Sequence, residues 1–129
     1  MHSCLRSGAL AVLAAGLMVT TAFAGSKISQ PVSINDADKQ ANGDLGFARN
    51  TADTVQYIGC YVNDTGNGGA GICQARDAAG VTRSCSTTND FMVDTIKSLK
   101  GDSSLYFRWN EDGNCTMVIV RNRSSYAPK

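Results

Sequence analysis

Four cysteines, Cys60, Cys73, Cys85 and Cys115, are the residues whose type and number say most about the chemistry of this chain. A fifth, Cys4, lies in an N-terminal apolar segment. Four thiols can hold a zinc ion or form two disulfides. Zinc sites commonly bring two ligands together as C-x2-C, and no two of these cysteines stand that close. An even set in a small exported chain reads as two disulfides, and sequence alone does not choose among the three possible pairings. Once oxidised, the set leaves no activated thiolate to serve as a nucleophile.

The chemistry the chain lacks is equally informative. Its single histidine is His2, inside the same N-terminal segment. Without that segment no Ser-His-Asp or Cys-His triad and no histidine-ligated zinc can be assembled. The remaining acid and base candidates are carboxylates. Glu111 and Asp112 are adjacent in a hairpin turn, with no second carboxylate facing them across a cleft as glycoside hydrolysis needs. Asp36-Ala37-Asp38 opens like a calcium loop, but Ala41 stands where such a loop needs its glycine and no glutamate closes it. It reads as a solvated loop. The glycine-rich stretch Asn63–Gly71 lacks the Lys and Ser/Thr of a phosphate-binding loop and reads as a long hairpin connection. No cofactor or metal is expected.

Binding chemistry is better supplied. Tyr57 and Tyr61 fall on one face of a candidate strand, and with Tyr106 they could form an aromatic surface, although ordinary core packing within strands is the plainer reading. Arg76 and Arg83 flank one hairpin at nearby positions that would suit an anionic ligand, although a solvated sheet face paired with nearby aspartates is the plainer reading. The chain carries 12 Lys and Arg against 11 Asp and Glu, which argues against a nucleic-acid partner.

Residues 1–24 read as a secretory signal peptide. Arg6 supplies the positive start, Ala9–Met18 the apolar run, and Ala22-Phe23-Ala24 a cleavage site before Gly25. The run is short for a bilayer crossing, and no membrane span is expected after cleavage. Removing Arg6, the only charged residue of the segment, balances the remaining charges. The expected location is the periplasm or the medium.

These residues need elements to position them. Residues 25–43 are polar and read as a loose leader or a poorly held strand. Residues 44–129 read as one disulfide-stapled, β-rich domain. Leu45–Val62 suggests two strands around a turn at Asn50–Asp53, with Ile58, Cys60 and Val62 facing away from the tyrosines. Ile72–Arg76 and Val81–Ser86 form a hairpin in which Gly80 takes the left-handed position and Cys73 faces Cys85. A helix over 90–100 begins at Asn89 or Thr88, carries Met92, Val93, Ile96 and Leu99 on one face, and stops at Gly101. The last hairpin joins Ser104–Asn110 to Cys115–Arg121, with Leu105 opposite Ile119, Phe107 opposite Met117 and Trp109 opposite Cys115.

The predicted fold class is α+β and mostly β, with about six antiparallel strands in hairpins, one helix and two disulfides. The function this supports is that of a small exported bacterial binding domain without catalytic activity. Its partner would be an envelope or secreted protein, met in an inhibitory, immunity-like or accessory role. The alternative is a module that binds carbohydrate or envelope material.

Overall fold

The computed structural model describes residues 25–126. Residues 1–24, where the signal peptide is expected, and the last three residues lie outside the described residues. The fold is mostly β, with seven strands in two antiparallel sheets, two short helices and two disulfides.

The larger sheet has the order β1-β2-β6-β7, formed by Ser33–Asn35, Gln40–Asp44, Ser104–Trp109 and Cys115–Arg121. Its register aligns Ile34, Ala41, Phe107 and Val118 in one row and Gly43, Leu105 and Val120 in the next on the same face. Ala41, Leu105 and Phe107 are fully buried there and form the centre of the core. Two strands thus come from the segment 25–43 that reads as a polar leader, and β2 lies inside the sheet. Its inward residues, Ala41 and Gly43, are small, and at Gly43 the space for a side chain is taken by Val32 and Pro31. A Cβ on Gly43 would stand 3.1 Å from the Val32 backbone. Such a strand carries almost no hydropathy signal.

The smaller sheet has the order β3-β4-β5, formed by Tyr57–Asp64, Gly69–Arg76 and Thr82–Thr87. The expected β4–β5 pairing holds. Cys73 lies opposite Cys85, and Gly80 has φ +84° in the turn. The glycine-rich stretch 63–71, expected as a long loop, is mostly strand. Pairing continues to Asp64 and Gly69, leaving a short turn in which Gly66 (φ +85°) and Gly68 (φ +112°) provide the left-handed backbone.

Three further expectations change. Leu45–Asn50 is a short helix, α1, rather than a strand. Six residues are too few to display a 3.6-residue period, and the conformation is held by tertiary contacts. Leu45 N–H donates to Ser103 O at 3.0 Å, and Gly46 and Ala48 are buried. The second helix, α2, spans Asp90–Lys97, shorter than 90–100. It is capped by Asn89, whose Oδ1 accepts from Met92 N–H at 3.1 Å. In the last hairpin Trp109 lies opposite Cys115 as expected. A bulge then shifts the rest by one residue, so Phe107 faces Val118 and Leu105 faces Val120. Counting residues outward from the turn misses the residue that a bulge inserts.

α2 lies on the inner face of the small sheet. A Cβ on Gly71 would stand 2.4 Å from Ile96 Cδ1, so glycine is what allows the helix this close. Cys60–Cys73 joins β3 to β4, and Cys85–Cys115 joins the small sheet to the large one. Two disulfides of this kind fit an oxidising, extracytoplasmic compartment. No helix among the described residues is long and apolar enough to cross a membrane.

Candidate binding face

The side chains of an antiparallel row share one face of the sheet, so the register sorts every candidate residue. Rows Ile58/Ala75/Arg83, Cys60/Cys73/Cys85 and Val62/Gly71/Thr87 point inward. Rows Tyr57/Arg76/Thr82, Gly59/Gln74/Ser84 and Tyr61/Ile72/Ser86 point outward. Nothing covers the outward rows completely. Tyr57 is 42% exposed and Tyr61 52%.

The two tyrosines stand on either side of Gly59, where a Cβ would meet nothing within 4 Å. The middle row is therefore a shallow trough floored by Gly59, Gln74 and Ser84. Its walls are Tyr57 with Arg76 on one side and Tyr61 with Ile72 on the other. Four residues of strand separate the tyrosine Cα atoms by roughly 13 Å. The inward face beneath is pinned by both disulfides, so the platform loses little freedom when it meets a ligand.

An aspartate sets the start of β3. Asp53 Oδ1 accepts from Val55 N–H at 2.9 Å and Gln56 N–H at 2.8 Å, and its Oδ2 accepts from Gln56 Nε2 at 2.6 Å and the Thr51 hydroxyl at 3.0 Å. Gln56 Oε1 in turn accepts from Val32 N–H at 3.0 Å. Hydrogen bonds from the backbone and side chain of Gln56, and from Val55, hold the Asp53 carboxyl down from its ordinary value of 3.8 to about 2. The expected turn near Asn50–Asp53 is present, but as the exit from a helix.

The structure separates the arginines that the sequence brings together. Arg76 is exposed on the outer face beside Tyr57. Arg83 belongs to an inward row at the rim of the sheet, and its guanidinium forms a two-point pair with Asp36, with Nε donating to Oδ1 at 2.7 Å. That hydrogen bond raises the Arg83 pKa further above its usual range. Neighbouring positions on antiparallel strands share a face only when their register matches, and here Ala75, not Arg76, lies opposite Arg83. Tyr106 belongs to the other sheet, where its hydroxyl donates to Gln40 Oε1 at 2.8 Å.

The other candidates resolve as structure. Asp38 accepts from the Asn35 side chain at 2.7 Å within the β1–β2 turn. Glu111 pairs with the Lys39 ammonium and so ties two turns together. Among the described residues, no group of three or more His, Cys, Asp or Glu side chains is placed to hold a metal ion.

Two features were not legible beforehand. Phe91 is 86% exposed on the first turn of α2, on the side away from Val93 and Ile96. Asp44 is fully buried, with Oδ2 accepting from Gln30 N–H at 2.9 Å and no partner for Oδ1 among the described residues. The helical stripe did exclude Phe91 from the core, whereas nothing in the sequence marks Asp44 as buried. An open cleft of about 250 Å³ lies beside the start of β3, lined by Leu45, Ala48, Arg49, Gln56, Tyr57 and Ile58.

Comparison with known proteins found no family model that matches the chain, and no significant match among curated proteins or solved structures.

Proposed function

We propose that this protein is an exported, non-catalytic binding module that recognises a protein through the outer face of β3, β4 and β5. The observation that carries the reading is the pair Tyr57 and Tyr61, exposed on either side of Gly59 on a disulfide-pinned sheet. Tyrosines on a rigid face contribute large contact area with little loss of side-chain freedom. Ile72 and Arg76 complete the flanking rows, and Gln74 supplies a hydrogen-bonding group between them. The location is the periplasm or the medium, and the role is inhibitory, immunity-like or accessory. The partner is an envelope or secreted protein, and the module holds no cofactor.

The test is affinity capture with the oxidised protein, run in parallel with a Tyr57→Ala/Tyr61→Ala variant. Envelope extract and culture supernatant serve as prey. A stoichiometric protein captured by the wild type and lost with the variant is the expected result. Equal capture by both would remove the face from the argument. Retention on purified cell-wall or polysaccharide material, with no protein captured, would replace the reading with carbohydrate binding, since the same tyrosines can stack on sugar rings.

A further inference from the structure

The hydrogen-bond phase of the small sheet can be followed strand by strand. Asp77 N–H donates to Val81 O at 3.1 Å, so this pair faces inward across the hairpin, and alternation makes Cys73/Cys85 a hydrogen-bonded pair as well. Ser86 N–H, pointing the other way, donates to Gly113 O at 3.1 Å, which agrees. Cys73 therefore directs its backbone groups at β5 and not at β3. The 4.0 Å between the Cα atoms of Cys60 and Cys73 is the close spacing of a non-hydrogen-bonded pair, the same result reached independently. It follows that Ile58, Cys60 and Val62 aim their N–H and C=O groups away from β4, along an edge that α1 flanks at buried Ile58 and that is partly exposed from Cys60 on. None of these groups has a hydrogen-bond partner among the described residues beyond the sheet itself.

Edge strands of this kind are normally guarded. β1 has only three residues, β5 has its outer side engaged by Gly113, and β7 carries the bulge and has α2 alongside. β3 has α1 packed beside its start, but it has eight residues, an uninterrupted register, no proline and no lysine, and residues 60–64 are partly or fully exposed. Its ends carry opposite charges. Arg49, exposed, lines the cleft beside Tyr57 and Ile58, and Asp64 closes the other end. An antiparallel twofold pairing brings each end of one edge to the opposite end of the other, so the edge is complementary to itself.

We propose that β3 is a self-association edge, on which two copies of this chain pair β3 to β3, antiparallel, to make one continuous six-stranded sheet. The hydrogen-bond phase admits only registers that pair Ile58, Cys60 and Val62 among themselves. The register assigned here sets Cys60 opposite Cys60 of the second copy and Ile58 opposite Val62. Gly59 then lies opposite Tyr61, whose ring covers the bare glycine backbone. Asp64 of each copy reaches the cleft lined by Arg49 of the other. Both outward faces become one surface with the tyrosines of two copies on it. This inference concerns the edge and is independent of what the face binds.

Sedimentation velocity across a concentration series, with amide hydrogen exchange on the same samples, tests it. The oxidised protein is expected to pass from monomer to dimer. With dimerisation the amides of Ile58, Cys60 and Val62 gain protection, while those of Gly59 and Tyr61, already bonded to β4, do not change. Tyr61→Lys, which places a charge on the paired edge, is expected to abolish the dimer. Arg49→Glu lies outside the strand and is expected to weaken it about fivefold, the reach of an exposed ion pair. Adding Asp64→Arg to Arg49→Glu is expected to recover the loss. A monomer at every concentration overturns the proposal. So does a dimer in which those three amides exchange as they do in the monomer, or in which both single variants leave association unchanged.

Discussion

The two sheets of this molecule are stabilised in different ways. The large sheet builds its core from volume. Leu105 and Phe107 are fully buried on β6, flanked by Val118 and Val120 and by the small residues of β2. The small sheet has little volume to bury. Its inward positions on β4 are Gly71, Cys73 and Ala75, and on β5 Arg83, Cys85 and Thr87. There the row Cys60/Cys73/Cys85 lies between Ile58 and Val62, the sheet's only large apolar inward side chains, with one disulfide within the sheet and one to β7. A thin sheet held by covalent links can leave its other face to solvent, and that is the face bearing Tyr57 and Tyr61. Apolar packing and exposed aromatic surface are thus divided between the two sheets.

Truncating the main core side chain is the strongest way to break this comparison. Phe107→Ala is expected to lower unfolding free energy by about 3–5 kcal/mol in denaturant titrations, since the buried β6 cannot collapse around the void. Replacing both Cys85 and Cys115 with Ala is expected to cost about 2–5 kcal/mol and to loosen the small sheet, seen as faster amide exchange throughout β3–β5. Replacing both Cys60 and Cys73 is expected to cost less. The loop it closes is shorter, and β3 and β4 remain joined by their hairpin. If this second pair proves the costlier, the small sheet is not held to the core chiefly through Cys115.

Gly71→Ala is expected to destabilise by about 1–3 kcal/mol, because the added methyl meets the buried Ile96 side chain where α2 comes closest to β4. Thermal unfolding of this variant measures how closely the helix must pack. The smallest effect is a pH dependence. The Asp53 carboxyl is held below its ordinary range, so its contribution is present above the unfolded value of 3.8 and is lost as pH falls toward about 2. Thermal midpoints recorded across that window are expected to fall, and Asp53→Asn is expected to flatten that part of the profile. An unchanged slope would separate Asp53 from the stability of the β3 entrance.

Residue types and short-range periods were enough for much of this protein. The four cysteines announced two disulfides, the stripe Met92, Val93, Ile96 and Leu99 announced α2 with Asn89 or Thr88 as its cap, and Asp77–Gly80 announced the turn that aligns Cys73 with Cys85. Tyr57 and Tyr61 were placed on one strand face because side chains alternate with a period of two. These features are local, and local sequence carries them. The tertiary structure alone decided the rest. Ala41 and Gly43 line an interior strand only because Phe107 and Leu105 stand beside them, so β2 had no signal of its own. Leu45–Asn50 turns into a helix through its contacts with Ser103 and the core. The pairing of Arg83 with Asp36 joins the small sheet to the β1–β2 turn, a long-range contact that local sequence does not carry. The choice of disulfide partners was open for the same reason. Cys73 lies beside both Cys60 and Cys85, and only the docking of the two sheets brings Cys115 to Cys85 and leaves Cys73 to Cys60.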